Sequence, residues 1–173
     1  MDDESVDLVV TSPPYDDLRT YNNSSKWDQN TFYAVAAQLA RVIKPGGVIM
    51  WNVNDATIKG SETGSSFRQA LHFMDVCKLR LHDTMIYEKT GTAFASGVKS
   101  VRYTQQFEYC FILSKGKPKT HTLLCDKKNK WAGHQSWGNA QTRAKDGSIK
   151  DPGKKSKEIK EWGVRTNIWK IKN

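Results

Sequence analysis

No apolar run in the sequence approaches the roughly 20 residues that a membrane span requires, so a spanning helix is excluded and no membrane partner is expected. The N-terminus, Met1-Asp2-Asp3-Glu4, is acidic where a secretory signal is basic and then apolar, and a cytoplasmic location is expected. Cysteine is scarce: Cys77, Cys110 and Cys125 are odd in number and widely spaced, which argues against a disulfide framework and leaves small core hydrophobes as their expected role. His121 and Cys125 stand four apart with no second ligand pair at zinc-type spacing, so no metal site is expected. Internal repeats are lacking too. There are only five prolines, yet two of them are adjacent, in "VVTSPPYDD" at residues 9 to 17.

Acidic residues are scarce in one place only. The first 114 residues hold 11 Lys/Arg against 13 Asp/Glu, and the remaining 59 hold 16 against 5, so the net charge of +9 comes from the last third. A one-sided surplus of this kind is the footprint of a surface that binds a polyanion, because each neutralised phosphate releases a condensed counterion. A solvated basic tail is the plainer alternative.

What is present reads as an α/β chain of about one domain's length. "SVDLVVTS", residues 5 to 12, has the β-branched, nearly continuous apolar character of a strand buried on both faces. From about Asn30 the residues Phe32, Val35, Ala36, Leu39, Ala40 and Val42 fall near a 3.6-residue period, a helix stopped at "KPGG". "VIMWNV", residues 48 to 53, is a second buried strand, and the order strand, helix, Gly turn, strand is the βαβ unit of a parallel sheet. A helix around 65 to 78 and a strand around 81 to 88 continue the pattern. "QQFEYCFILSKGKPKTHTLL" suggests two strands joined at "KGKP", an antiparallel hairpin at one edge. Residues 126 to 161 are lysine-rich and poor in aliphatics, as expected of an irregular insertion, and "WGVRTNIWKIKN" regains apolar residues. Three segments are therefore expected: 1–120, 121–162 and 163–173, the last docking back on the first.

In open α/β sheets ligands bind beyond the carboxyl ends of the strands, where Thr11-Ser12-Pro13-Pro14-Tyr15 falls. Two fixed proline φ angles hold the carbonyls of Ser12 and Pro13 in one orientation and add no competing N–H. Tyr15 brings a flat ring able to stack on a base swung out of a duplex. "TSPPY" after a strand resembles motif IV of the amino-methylating DNA methyltransferases. "DESVDLVVTSPPY", "LARVIKPGGVIMWNV", "LRLHDTMIYEKTG" and "QQFEYCFILSKGKPK" resemble successive catalytic segments of the class in which motif IV precedes the cofactor motif, and "RTNIWKI" the segment closing the recognition region.

The resemblance implies a Rossmann-like class I methyltransferase sheet and transfer of a methyl group from S-adenosyl-L-methionine to the exocyclic amine of a flipped base. It implies catalytic roles for Ser12, Pro13, Pro14 and Tyr15, with Thr11, Ser12 and Pro13 also facing the cofactor. The Ser12 hydroxyl or carbonyl and the Pro13 carbonyl would accept from the amine, orienting a lone pair otherwise delocalised into the ring. Serine at the head of the motif is more like the N4-cytosine variant; N6-adenine is the alternative, and RNA or protein glutamine are less favoured acceptors. Such methyltransferases also carry a Phe-x-Gly-x-Gly loop, and no such segment is present, so the sheet is expected to be incomplete. A fragment, a truncated product and one part of a two-chain enzyme all fit, and a homodimer or a complementary chain supplying the missing cofactor-binding half is expected as a partner. A catalytically incomplete DNA-binding subunit is the competing reading.

Arg19 and Tyr21 are candidates for base or phosphate contact, while Asp16 and Asp17 read as loop carboxylates or a helix cap. Trp51 and Asn52 fall at the same rim, with core packing the better reading for Trp51. His72 and His82 read as structural. In "KKNKWAGHQSWGNAQTR", Lys127, Lys128, Lys130, His134, Gln135 and Arg143, mixed with Trp131, Trp137, Asn139 and Gln141, are the vocabulary of base-edge and phosphate contact. Lys154, Lys155 and Lys157 in "KKSKEIK" are purely electrostatic candidates.

Overall fold

A computed structural model describes residues 1–15, 27–90, 102–120, 122–136, 142–150 and 157–172. The chain divides into two compact units, Met1–His121 with Asn167–Asn173, and Thr122–Thr166.

The first unit is built on five strands: β1 (Val6–Thr11), β2 (Ile43–Val53), β5 (Arg80–Thr90), β6 (Phe107–Ser114) and β11 (Ile168–Lys172). Their order across the sheet is β1-β2-β6-β5-β11. β1 and β2 run parallel, as do β5 and β11, while β6 runs antiparallel to both of its neighbours. The hairpin expected across "KGKP" at one edge of the sheet is not formed among the described residues: β6 is the central strand, and its antiparallel partners are β2 and β5. Phe107–Ser114 is buried over most of its length, which suits a central strand, and no strand follows it among residues 115–120 and 122–126. β3 (Thr57–Ile58) and β4 (Ser61–Glu62) form a small ribbon after β2.

Two helices pack on the sheet. α1 (Gln29–Val42) starts where the Asp28 carboxylate accepts from the Thr31 N–H at 2.8 Å, an N-cap that satisfies one orphan donor. α2 (Ser65–Asp75) is capped differently: the Asp55 carboxylate accepts from the Ser66 N–H at 2.9 Å and the Ser66 hydroxyl at 2.6 Å. Those bonds outweigh the burial that would raise the Asp55 pKa, holding it below the ordinary carboxylate value. Phe32 and Ala36 of α1, Ala70 and Phe73 of α2, and Ile49, Trp51, Val53, Phe111 and Leu113 of the sheet form one cluster. Trp51 is 1% exposed and its indole N–H donates to Gln69 Oε1 at 2.9 Å, so core packing is its role.

Two expectations are corrected by position in the sheet. β1 is not buried on both faces: it is an edge strand, and Leu8 and Val10 are 60% and 65% exposed. The helix of residues 30–42 is not separated from β2 by a glycine turn, because strand geometry begins at Ile43, and Gly46, at φ +79°, makes a left-handed kink within the strand. A side chain on Gly47 would meet the Asp7 carbonyl oxygen at 3.0 Å, so glycine lets β1 and β2 approach here.

The second unit consists of two-residue strands. β7 (Lys127–Lys128) pairs antiparallel with β10 (Trp162–Gly163), and β8 (Thr142–Arg143) with β9 (Ile149–Lys150). Backbone bonds such as Asn129 N–H to the Glu161 carbonyl (2.8 Å) and Ile159 N–H to the His134 carbonyl (2.8 Å) extend the first pair. None of its described residues is buried. Among the described residues of the whole chain, no helix is long and apolar enough to cross a membrane, and no cluster of His, Cys, Asp or Glu could hold a metal ion.

Candidate active site at the end of β1

The sheet order brings distant residues to one rim. β1 and β2 end there because they are parallel; β6 begins there because it is antiparallel to β2, and β5 ends there because it is antiparallel to β6. Ser12, Asn52, Lys89 and Glu108 therefore gather from four strands. Ser12 is exposed, Pro13 is buried, and Pro14 and Tyr15 are half-buried, so the corner opens to solvent at its serine. Thr11, also half-buried, pairs in register with Trp51.

The corner is held by a polar network that the proline motif alone does not disclose. Ser12 Oγ lies 2.9 Å from Tyr15 Oη, and Tyr15 donates to Glu108 Oε2 at 2.8 Å. Asn52 Nδ2 reaches both Tyr15 Oη, at 3.0 Å, and Glu108 Oε2, at 2.6 Å. The other Glu108 oxygen, Oε1, meets Lys89 Nζ at 2.5 Å. The Cys110 thiol donates to Asn52 Oδ1 at 3.0 Å.

Burial by itself would push the Glu108 carboxyl up, but Lys89, Asn52 and Tyr15 together hold it below the ordinary value near 4.5. Tyr15 moves the other way. Burial, with the Glu108 charge beside it, raises its pKa well above that of a free phenol. Burial and the same charge push the Cys110 thiol up to about 11, so it stays protonated.

Cys110 is thus buried and is a hydrogen-bond donor rather than a simple hydrophobe, Cys77 is half-buried, and Cys125 is exposed, against the expectation of three core cysteines. Among the histidines, His82 is exposed, and His72 stacks on Tyr33 with ring centroids 4.2 Å apart, burial lowering its pKa. In the second unit Lys127, Lys128, Lys130, His134, Gln135, Arg143 and Lys157 are all exposed, and Lys130 Nζ lies 5.4 Å from the Trp131 ring centroid. Asp16, Asp17, Arg19, Tyr21, His121, Trp137, Asn139, Gln141, Lys154 and Lys155 lie outside the described residues.

Two cavities lie elsewhere in the first unit. One of about 370 Å³ sits between α1 and α2, lined by Trp27, Phe32, Tyr33, Arg68 and His72 among others. Another of about 200 Å³ lies on the sheet face opposite the helices, beneath Asn52 and Cys110 and against Met50, Met85, Trp169 and Ile171. Neither is lined by Ser12 or Tyr15, so size alone does not mark the site; the convergence of polar groups does.

Comparison with known proteins agrees with this fold. The chain is 53% identical over 171 residues to the orphan methyltransferase M.BamHII of Bacillus amyloliquefaciens, covering 99% of this chain and 61% of that one. It is 44% identical over 57 residues to the type II methyltransferase M.BglII of Bacillus subtilis, covering 30% of this chain and 15% of that one. Its structure superposes on the PvuII DNA methyltransferase (cytosine-N4-specific) with a TM-score of 0.62 at 18% identity, over 99% of this chain and 52% of the other, which assigns the fold. The chain therefore spans about three fifths of the length of M.BamHII and half that of the PvuII enzyme. The family described as DNA methylase (N6_N4_Mtase) matches residues 6–173, and the chain belongs to that family.

Proposed function

We propose that this chain carries the target-base corner of a DNA amino-methyltransferase, with Ser12, Pro13, Pro14 and Tyr15 as the residues that meet the base. The observation that carries the reading is the exposed Ser12 at the carboxyl end of β1, beside a tyrosine whose hydroxyl is held from three sides. An exocyclic amine is a poor nucleophile because its lone pair is shared with the ring. Oxygen acceptors on its two N–H groups turn the lone pair out of conjugation and stabilise the positive charge that develops on nitrogen. Ser12 Oγ and the carbonyls of the proline corner supply such acceptors, and the Tyr15 ring, fixed by its hydroxyl, supplies a face for stacking.

Cytosine N4 is the favoured target. Ser12 heads the motif, and the PvuII enzyme, similar in fold, is named cytosine-N4-specific. N6 of adenine presents the same pair of N–H donors and is the alternative. S-adenosyl-L-methionine would supply the electrophilic methyl group, and Thr11, Ser12 and Pro13 would form one wall of its site. The described residues offer no further cradle: Gly46 and Gly47 pack against Lys119, Ile43 and Asp7 within and beside β2. Base positioning is accordingly the part of the reaction assigned to these residues.

Lys127, Lys128, Lys130, Arg143 and Lys157 would contact phosphates, with Lys154 and Lys155 beside them in sequence, and His134 and Gln135 would read base edges; Arg19 and Tyr21 would act near the flipped base. A partner surface is supported by the sheet face opposite α1 and α2, where Leu8, Val10 and Ile171 are exposed. A second copy or a complementary chain would cover it, and a stable monomer in light scattering would remove that part. Mass spectrometry of nucleosides from the DNA of a methylation-free bacterial host expressing the chain tests the main reading. N4-methyldeoxycytidine supports it, N6-methyldeoxyadenosine selects the alternative target, and neither leaves the DNA-binding-subunit reading.

A further inference from the structure

We propose that Glu108 fixes the direction of every hydrogen bond at the corner, so that Ser12 Oγ faces an incoming base as an acceptor only and selects amino-bearing bases over their keto counterparts. The inference rests on the reading of the corner as a base site and assigns Glu108 as its positioning residue.

The protons available at the corner fix the order. The Glu108 side chain is 9% exposed, with Lys89 on one oxygen and Tyr15 and Asn52 on the other. Those three donors keep it ionised, and a carboxylate can only accept. Tyr15 has a single proton, and the 2.8 Å bond to Glu108 takes it. Its oxygen can then accept twice, and two donors are in place, Asn52 Nδ2 at 3.0 Å and Ser12 Oγ at 2.9 Å.

The distance between Ser12 and Tyr15 allows either hydroxyl to donate, but the Tyr15 proton is already committed, so Ser12 must donate inward. Asn52 cannot upset this order. The Cys110 thiol holds its Oδ1 at 3.0 Å, which turns its N–H groups toward Tyr15 and Glu108. Ser12 Oγ is left with lone pairs alone on its exposed side. An amine N–H finds an acceptor there, whereas a keto oxygen meets lone pairs with no proton between, and an unmade bond of this kind is a strong basis for rejection.

The test uses four nucleotides as probes: deoxycytidine and deoxyuridine monophosphates, and deoxyadenosine and deoxyinosine monophosphates, titrated into the full chain and its variants. Wild type is expected to favour the amino member of at least one pair by about tenfold. In Glu108→Gln the new amide can donate to Tyr15 Oη, which frees the Tyr15 proton for Ser12 and turns the Ser12 proton outward, so the preference falls to about unity or inverts. Lys89→Gln removes the ion pair but leaves Glu108 an acceptor, and it retains the preference. A merely structural role would move both variants alike, and that result overturns the proposal. Neutron diffraction from a deuterated crystal reads the order directly: deuterium on Ser12 aimed at Tyr15 Oη supports it, and deuterium on Tyr15 aimed at Ser12 overturns it. If wild type binds none of the four, the base-site reading and the selection both fall, and the neutron map still decides the proton order.

Discussion

The two units are made of the same backbone bonds and differ in what those bonds shelter. In Met1–His121 with Asn167–Asn173, a five-stranded sheet and two helices enclose Trp51, Phe73 and Leu113, and the polar network of the corner sits at the rim of that rigid frame. In Thr122–Thr166, strands two residues long hold exposed lysines, and Trp131 and Trp162 face solvent. On the proposed reading, the difference separates two kinds of recognition. Orienting an amine needs groups fixed within about half an ångström, which packing supplies; attracting phosphates needs charge, which tolerates a looser support.

Removing one aromatic ring from each unit should give the largest contrast. Phe73→Ala should cost about 3–5 kcal/mol in urea unfolding followed by far-ultraviolet circular dichroism, since the ring is fully buried and packs edge-on to Phe32 and Trp51. Trp131→Ala, at a residue 59% exposed, should stay within about 0.5 kcal/mol. Equal losses would mean that the second unit has a core the exposures do not reveal.

Glu108→Ala comes next. It strands the Lys89, Tyr15 and Asn52 donors beside a buried position and should cost about 1–3 kcal/mol in the same assay. The pH dependence should agree in sign. The Glu108 pKa is lowered on folding, so its contribution is present above its unfolded value, near 4.5, and is lost as pH falls through the lower folded value. Between pH 7 and pH 3 wild type should therefore lose more stability than Glu108→Gln, by up to about 1.4 kcal/mol for every tenfold by which folding weakens the carboxylate's hold on a proton; equal losses would put the ion pair's contribution at zero. The smallest effect belongs to the second unit. Arg165 forms a forked pair with Asp126 that is exposed on both sides, and Arg165→Gln should leave the urea midpoint nearly unchanged, with any loss shrinking further in high salt.

Much of the first unit was legible because its elements carry their own periods. The helix at Gln29–Val42 and the strand ending at Val53 follow from apolar spacing, and the proline corner is visible as a stiff break after a strand. Glu108 was not legible. A glutamate between Phe107 and Tyr109 reads as the solvent-facing member of an alternating strand, and only the sheet order turns that face toward Asn52 and Tyr15. The available signal was a lone carboxylate within the apolar run "FEYCFIL". Leu8 and Val10 misled for the complementary reason: apolar character states a preference for burial, and an edge strand leaves it unmet. The second unit gave little beyond its charge, since strands of two residues are too short to have a period.

On the proposed reading, an amino-bearing base is held at the end of β1. Amide shift mapping of the full, isotope-labelled chain during titration with deoxycytidine monophosphate locates the bound base most directly. The largest shifts are expected on Ser12, Tyr15, Asn52 and Glu108; shifts confined to Tyr33, Arg68 and His72, around the larger cavity between the helices, would place the base elsewhere.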